Sequence, residues 1–480
     1  MKPNNKYIVF VTASLFILCP VIHAQQKLSL GQCREMALQN NKSAAIAERT
    51  EDKITYESKS YFANFFPKIS LSGLYLFSNS KMEKTINGNY LPTFVPDPAT
   101  GQLKPNIVIL PDGNPLIGAD GNPVFKEYAY FPDMALSLRL NGLYTAGIQA
   151  EQPLYMGGKI TAAYKMSLIG KEIARLNRNL TRAEIIVQTD EAYWTHLKTL
   201  ELKKVALEFQ KVVTELYRNV QNAYETGMKP KNDVLKVQVQ VNKAELQLLQ
   251  AENAIRLSRM NLCQVTGLPI MSDISIEESF DNVGNGRDAP WRVSTPNDYT
   301  ARPEYSILEK QIELKNQQVK LVRSDFLPNV GLLANYGYTH GLDLNSTPLF
   351  DKTSFFAVVS VKIPVFHWGE GVNKVRAAKA EKQIMQLQRD DLHEKMNLEM
   401  TQALNRCGES ELEVALTLRS LEQAEENRIT SRNQYEVGLE TLANYLEAQT
   451  LWQQAWMEMI NAKISQQLNE TYYLKATGGL

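Results

Sequence analysis

Apolar and polar side chains alternate along four segments of the chain, and this alternation predicts four β-strands. In residues 136–150 the even positions are apolar or glycine, whereas most odd positions are polar. The two-residue period predicts strands at about 68–78, 136–152, 329–339 and 353–363. Long strands with one apolar and one polar face suit the wall of a transmembrane β-barrel around a wet lumen. A sheet that covers a soluble core is the alternative, and the aromatic residues near the strand ends, such as Tyr75 and Tyr336, favour lipid.

Other long stretches of the chain carry apolar residues at helical spacing. Residues 158–227 and 369–438 each run for 69 steps without an internal proline, which at ~1.5 Å per residue predicts helices about 100 Å long. Two shorter helical segments, 228–267 and 302–327, would match that length if they were stacked end to end. The broad, mixed faces of these helices predict a hollow helical cylinder. A plain antiparallel coiled-coil rod is the alternative that the helices alone would favour.

The chain also contains an internal duplication. The turn at Gly227 recurs at Gly438, 211 residues later, and the motif at Pro67 recurs at Pro328, 261 residues later. Constant offsets indicate two copies of one large unit, with about 50 extra residues in the first copy. The predicted organisation is a single unit, 25–480, made of repeat 1 (about 25–268), a belt-like linker (about 269–299) and repeat 2 (about 300–480).

The extra residues form a predicted loop at about 80–132, between the first two strands. This segment contains "VPDPATGQLKP" and two "DGNP" tetrapeptides, at Asp112 and Asp120, a composition that predicts turns rather than extended structure. We interpret the segment as an extracellular loop and a tolerated surface insertion. A ligand-binding role is the alternative. The second strand pair has a shorter loop around "HGLDLNSTPLFDK".

Four strands cannot close into a barrel. An open sheet edge in hydrocarbon leaves backbone groups unpaired, so the missing strands have to come from other copies of the chain. Two copies would give eight strands and three would give twelve, and only the larger barrel leaves an evident channel. The strand count therefore predicts an oligomer, and both sizes stay open at this point.

The N-terminus predicts export. Lys2 and Lys6 precede the apolar run "YIVFVTASLFILCPVI", and this pattern is typical of a signal peptide, residues 1–24. Cys19 raises the alternative of a lipoprotein, but it follows Leu18, where a small residue would be expected. The chain has 52 Lys and Arg against 52 Asp and Glu, so its net charge gives no footprint for nucleic acid or an anionic membrane surface.

No catalytic constellation stands out, so the sequence predicts a protein that is not an enzyme and needs no cofactor or metal. The histidines of the mature chain lack metal-ligand spacing; they are His196, His340, His367 and His393. The mature cysteines are odd in number and far apart, which predicts buried thiols rather than a disulfide framework; they are Cys33, Cys263 and Cys407.

Four features of the chain together resemble the TolC family of outer-membrane factors, and the resemblance covers the whole mature chain. They are the signal peptide, the segment "LSLGQCREMALQNN", two strand pairs that each end in proline and then glycine, and two "YxxG" turns. The resemblance implies a mixed α/β membrane protein. Four β-strands per chain would contribute to a trimeric twelve-stranded outer-membrane β-barrel, continuous with a long periplasmic α-helical barrel. It also implies the outer membrane of a Gram-negative bacterium and a homotrimer that works with a periplasmic adaptor and an inner-membrane pump.

The function implied is an outer-membrane exit duct of a tripartite efflux or type I secretion system, conducting substrate passively. A structural or adhesive surface protein, in which the helices are a spacer, is the alternative. The polar strand face favours the duct, because an aqueous bore needs it and a spacer does not. A wide wet tunnel selects weakly, so specificity would belong to the pump.

The resemblance assigns a periplasmic gate near the second turn. Acidic positions that narrow the tunnel in this family are matched by Asn444 and Glu447, so that one acid is retained and one is an amide. A latch arginine of well-known members is matched by Glu440. The resemblance matches the latch partners to Asp233 and Tyr435 and implies a hydrogen bond between them, with Glu440 opposing Asp233.

The resemblance also assigns the surface that meets the adaptor. Adaptor tips in this family contact the helix–turn–helix ends, which are Gly227 with Met228 and Gly438 with Leu439 in this chain. Both glycines stand where a helix needs a left-handed terminating residue, so capping alone is the alternative explanation for them.

Overall fold

The computed structural model describes residues 26–78, 80–283, 300 and 302–480, and the predicted signal peptide, residues 1–24, lies outside them. The chain divides into two compact units. The first, here called the helical unit, takes the residues up to Lys59, Lys165–Gln318 and Ala377–Leu480. The second, here called the sheet unit, takes Ser60–Tyr164 and Val319–Arg376.

Helices form most of the described chain. They are α1 (Leu30–Asn40), α2 (Lys42–Ala63), α3 (Lys159–Glu225), α4 (Lys231–Thr266), α5 (Pro303–Ser324), α6 (Glu370–Glu436) and α7 (Leu442–Ala476). The two longest, α3 and α6, have 67 residues each, close to the lengths predicted from the proline-free stretches. No helix of the described residues is both long enough and apolar enough to cross a membrane.

The strands fall mainly in the sheet unit. They are β1 (Gln26–Leu28), β2 (Lys68–Leu76), β3 (Lys81–Ile86), β4 (Asn89–Pro92), β5 (Phe94–Pro96), β6 (Leu103–Pro105), β7 (Tyr128–Phe131), β8 (Met134–Met156), β9 (Ile274–Ile276), β10 (Asn329–Leu344) and β11 (Thr347–Lys362). The main sheet is antiparallel with the order β11-β10-β8-β2, and β3 pairs with β8 beyond the end of β2.

The two faces of this sheet differ as the alternating pattern predicts. One row across the four strands is apolar, since Leu71 is opposite Ile148, Ile148 is opposite Tyr336, and Tyr336 is opposite Phe355. The adjacent row, on the other face, is small and polar; it contains Ser72, Gly147, Gly337 and Ser354. The apolar side chains stay exposed in the single chain, Leu71 at 83% and Phe355 at 68%. The sheet therefore has one face suited to lipid and one suited to water.

The β10–β11 hairpin corrects the predicted loop around "HGLDLNSTPLFDK". The two strands continue to Leu344 and from Thr347, and only Asn345 and Ser346 form the turn, with φ of 50° and 64°. Such a two-residue turn matches the right-handed twist of its strands. The alternation was hidden by a register shift between Thr339 and Leu342, which interrupts the two-residue period.

The insertion at 80–132 also departs from its prediction. The "DGNP" turns form as expected, because the Asp112 and Asp120 carboxylates accept the backbone N–H groups of Asn114 and Asn122 at 3.1 and 3.2 Å. The prediction of turns rather than extended structure was wrong, however, since β3 to β7 all lie in this segment. These strands have only 3 to 6 residues each, too few for a two-residue period to be visible in the sequence.

The core of the helical unit combines both sequence repeats. Cys33, Tyr193 and Leu262 from repeat 1 pack in one buried cluster with Ile460 from repeat 2. The strands β1 and β9 pair in parallel at its edge, and the described part of the predicted linker contributes buried Phe280. The rest of that linker, 284–299, lies outside the described residues. The cysteines are free and buried.

The two compact units do not coincide with the two sequence repeats. Each compact unit draws on both repeats, because β8 of the first copy pairs with β10 of the second and the helical core is shared. A half-buried charge pair joins distant parts of the helical unit in the same way. Arg34 donates two hydrogen bonds to Asp190, whose side chain is fully buried and also accepts from Thr471.

Candidate functional site

Two tight turns in the helical unit connect the long helices α3 and α6 to their successors, and the turns share one backbone geometry. In the first, Gly227 has a φ of 77° and the Met228 N–H donates to the Ala223 carbonyl at 2.8 Å. In the second, Gly438 has a φ of 79° and the Leu439 N–H makes the equivalent bond at 2.9 Å. A left-handed glycine followed by such a bond ends a helix as a Schellman motif. Open space surrounds both glycines, so the backbone conformation alone requires them.

The helices that follow the turns begin differently. Helix α4 starts after Pro230, which makes no side-chain capping bond. Helix α7 starts after Thr441, whose hydroxyl oxygen accepts the Asn444 N–H at 3.3 Å. The second turn therefore has the better-capped helix start, since a threonine oxygen satisfies a donor that the helix itself leaves unpaired.

Both turns lie over one apolar cluster, which we call the tip cluster. Its buried members come from α3, α4 and α7; they are Leu216, Val220, Val234, Val237, Leu442 and Tyr445. Tyr435 of α6 packs against them. Because one cluster holds residues that follow each turn, the two turns are brought together by packing as well as by their similar sequence.

Aromatic side chains connect α6 to α7 at this end of the helical unit. The rings of Tyr435 and Tyr445 stack with centroids 5.4 Å apart and planes 11° apart. The Lys229 ammonium lies 4.8 Å from the centroid of the Tyr435 ring, a cation–π distance. Burial, then the nearby Asp233 carboxylate, raises the pKa of Tyr435, and burial raises the pKa of Tyr445. Both phenols are therefore neutral at physiological pH.

The hydrogen bond that the resemblance implies between the latch residues does not form in the single chain. Across the described residues of this tip, Tyr435 and Asp233 share no hydrogen bond, although they are close enough for the carboxylate to affect the phenol pKa. Asp233 instead lies 3.7 Å from the Lys236 ammonium. The Glu440 carboxylate accepts the Ser431 hydroxyl at 2.5 Å. That bond joins the last turns of α6 to the residue just past Gly438.

The two turns carry different charges at equivalent positions. At the repeat offset of 211 residues, the second turn has two acids and an amide where the first has two lysines and an acid; the pairs are Glu440 with Lys229, Asn444 with Asp233, and Glu447 with Lys236. Asn444 and Glu447 are exposed, whereas Glu440 is partly covered. The acidic side of the tip thus belongs to the second turn alone.

Large apolar side chains are exposed at the turns themselves. Met228 is 77% exposed, Val437 is 70% exposed and Leu439 is 81% exposed. Scattered apolar residues are common on protein surfaces, but three of them on two adjoining turns make a patch that suits a protein partner.

A cavity of about 220 Å³ opens beside the tip cluster. Its polar lining comes from α3, α6 and the first turn, and includes Glu215, Asn219, Lys229, Arg432 and Glu436. Arg432 donates to Glu436 at 2.9 Å, and that bond raises the pKa of the guanidinium. Arg432 and Glu436 pair with each other and Lys229 lies over the Tyr435 ring, so we assign the cavity no separate chemistry. Within the described ranges, no group of three or more metal-binding side chains comes together.

Sequence reasoning missed several residues of this site. Ser431, Lys229 and Tyr445 make the contacts described above, and none of them was singled out. The duplication could have pointed to Lys229, because Lys229 occupies the position in the first turn that Glu440 occupies in the second. The stacking of Tyr445 depends on the tertiary packing of α6 on α7, which a periodic pattern does not encode.

The chain matches the family model described as outer membrane efflux protein, over residues 130–268 and 301–479. Among curated proteins, none matches it in sequence.

Solved outer membrane channels have the same fold. The CmeC outer membrane channel of Campylobacter jejuni is 19% identical, with a TM-score of 0.72 over 94% of this chain and 85% of that one. The outer membrane protein VceC of Vibrio cholerae is 17% identical, with a TM-score of 0.67 over 94% of this chain and 96% of that one. The open state of the MtrE outer membrane channel of Neisseria gonorrhoeae is 15% identical, with a TM-score of 0.65 over 94% and 88%.

We expect the substitution Tyr445→Ala to loosen the tip. Tyr445 is only 4% exposed, and truncating a buried aromatic ring costs roughly 3–5 kcal/mol. Hydrogen exchange of the first turns of α7 should therefore become faster. The matched control is Tyr224→Ala, since Tyr224 is the counterpart of Tyr435 in repeat 1 and is 39% exposed. Equal exchange in the two variants would show that the tip does not depend on this cluster.

Proposed function

The chain belongs to the outer membrane efflux protein family, and from that premise we propose that it is the exit duct of a tripartite efflux or type I secretion system. It is a TolC-like protein of the outer membrane that extends into the periplasm. In the proposed function, substrate delivered from the inner-membrane pump moves passively through the bore to the exterior. The proposal rests mainly on the sheet of β11, β10, β8 and β2, to which β3 also pairs. This sheet has one apolar face, one polar face and two unpaired edges.

The unpaired edges support a homotrimer. Within the described residues, β11 pairs only with β10, and β2 pairs only with β8. Backbone groups left unpaired in hydrocarbon cost several kcal/mol each, so both edges need a strand from another copy. Three copies give twelve strands, and a barrel of that size holds a wet lumen when its polar face points inward.

The turn patch supports contact with a periplasmic adaptor. Gly227, Met228, Gly438 and Leu439 are the proposed contact positions, and the two apolar side chains among them are exposed. The Schellman geometry fixes the backbone of both turns, so little ordering would be needed on binding. Capping alone explains the glycines, but it does not explain why Met228 and Leu439 stand exposed beside them.

The acidic second turn supports a gate at this end of the chain. Glu440, Asn444 and Glu447 are the proposed constriction, and Asp233 and Tyr435 are the proposed partners of the latch. In place of a Tyr435–Asp233 bond, the Ser431–Glu440 bond and the Tyr435–Tyr445 stack hold α6 against α7. The closed state of this chain would therefore depend on a hydrogen bond and on ring stacking more than on ion pairs.

A crosslinking experiment tests the partner surface. A photocrosslinker attached to Leu439→Cys in living cells should capture a periplasmic adaptor, identified by mass spectrometry. Leu398→Cys is the matched control, because Leu398 is also an exposed leucine, at 70%, but lies in the middle of α6. Capture from both positions, or from Leu398 alone, would contradict the assignment of the turns.

Reversing the charge at the gate tests the constriction. We expect Glu440→Arg to lower single-channel conductance in a planar bilayer, since a guanidinium there can pair with acids of the tip such as Asp233 and hold the helices together. Glu422→Arg makes the same change of charge on an exposed part of α6 and serves as the control. An unchanged or higher conductance for Glu440→Arg would refute the proposed gate.

A further inference from the structure

The insertion contributes a strand to the edge that the proposed trimer has to close. Strand β3, Lys81–Ile86, comes from the inserted segment and pairs with β8 beyond the end of β2. In the described part of the chain, no strand pairs with the opposite edge of β3. The free edge on this side of the sheet is therefore β2 followed by β3, and we call the two together the composite edge.

Strand lengths show that β2 alone is too short for its counterpart. The free edge on the other side is β11, with 16 residues, whereas β2 has 9. If β11 paired only with β2 of a neighbouring copy, several of its backbone groups would stay unpaired. Strand β3 adds 6 residues, which brings the composite edge close to the length of β11.

The composite edge contains one extra residue at the break between its two strands. From the pair Leu76–Leu143 to the pair Lys81–Arg139 there are five steps on the composite edge and four on β8. The extra residue shifts the alternation, so that Tyr75 in β2 and Lys84 in β3 lie on the same face, opposite Tyr144 and Leu136 of β8.

We propose that β3 is the outer part of the contact between copies, paired antiparallel with the outer half of β11 in a second copy of this chain. This inference rests on the homotrimer proposed above. In the register that we propose, Gly73 and Tyr75 are opposite Val361 and Val359 of the second copy, with apolar residues on the same face. After the extra residue, Glu83 is opposite Lys352, and Lys84 is opposite Asp351.

Charge selects this register. Pairs of opposite sign directly across an antiparallel ladder stabilise it, and like charges destabilise it. If the two strands slip by two residues in one direction, Lys352 lies opposite Lys81, which has the same charge. If they slip by two residues in the other direction, Lys352 lies opposite the uncharged Thr85. A slip of one residue places apolar side chains against the polar face. Both strands are exposed in the single chain, and the Glu83 side chain is 58% exposed. Glu83 forms an ion pair with Lys81 of its own strand, and its carboxylate has further acceptor sites for Lys352 of the second copy.

Asp351 is already held in a fixed position within its own chain. Its carboxylate accepts the Tyr338 hydroxyl and lies 2.9 Å from Nδ1 of His340. A carboxylate has further acceptor sites, so Lys84 of the second copy can still bind it. The outer half of β11 thus presents the ordered Asp351 carboxylate and the neighbouring Lys352 ammonium. The composite edge carries the residues of opposite charge, Lys84 and Glu83.

Engineered disulfides test the pairing in the full-length protein in outer membranes. Residues directly opposite in a ladder have Cα atoms about 4.5–5.5 Å apart, which a disulfide can bridge. The chain with Glu83→Cys and Lys352→Cys should run as a covalent trimer on non-reducing gels. Three strand spacings separate the two positions within one chain, so an intramolecular bridge cannot form. The native cysteines are buried and stay in place.

Two control pairs separate the possible outcomes. Tyr75→Cys with Val359→Cys tests closure of the barrel through β2, and Glu83→Cys with Ser354→Cys tests a register slipped by two residues. A covalent trimer from the Tyr75 pair but not from the Glu83–Lys352 pair would overturn the role of β3 and leave the trimer standing. No crosslink from either pair would overturn the trimer as well. A stronger crosslink at Ser354 would overturn the register.

A charge reversal provides a second readout that needs no cysteine. Glu83→Lys should lower the temperature at which trimers dissociate in detergent, because it sets a lysine against Lys352. Combining it with Lys352→Glu should restore the temperature. If the double variant is no more stable than Glu83→Lys alone, the two side chains do not meet across the contact.

Discussion

Every larger feature of this protein depends on the hydrogen bonds that its sheet leaves unmade. Four long strands with an apolar face are stable in a membrane only if both outer edges are paired. The sheet cannot pair them itself, because β2 and β11 lie at opposite ends of the strand order and too few strands separate them to curl into a barrel. In the proposed trimer, assembly with other copies would therefore be part of folding rather than a later association.

The duplication uses one backbone design twice in the helical unit. Each repeat ends a long helix with one glycine in the left-handed conformation, and the two turns are held over a shared cluster. Once the backbone is repeated in this way, function can differ through side chains alone. Lys229 and Glu440 occupy equivalent positions, yet one lies over a tyrosine ring and the other binds a serine hydroxyl. An acidic second turn next to a basic first turn gives the tip a polarity that a perfect repeat would lack.

Periodicity revealed those elements whose pattern runs without interruption. The two 67-residue helices and the turn glycines were predicted because no proline interrupts the helices, and the strand pairs were predicted where their alternation is unbroken in the sequence. The ends of β10 and β11 were missed at the bulge after Thr339, and β3 to β7 were missed because they are short. The expected Tyr435–Asp233 hydrogen bond is absent for a different reason. A position matched to a family says where a side chain is, but Glu440 forms its bond with Ser431, a partner nine residues away that the family pattern does not specify.

We propose that this chain closes, with its own copies, around a continuous aqueous bore. Single-channel conductance of the purified wild-type protein in a planar lipid bilayer tests this. We expect discrete openings of uniform size that persist after any adaptor and pump have been removed, because the wall would come from this chain alone. Stable insertion into the bilayer without conductance would contradict it, and would favour a surface protein whose helices serve only as a spacer.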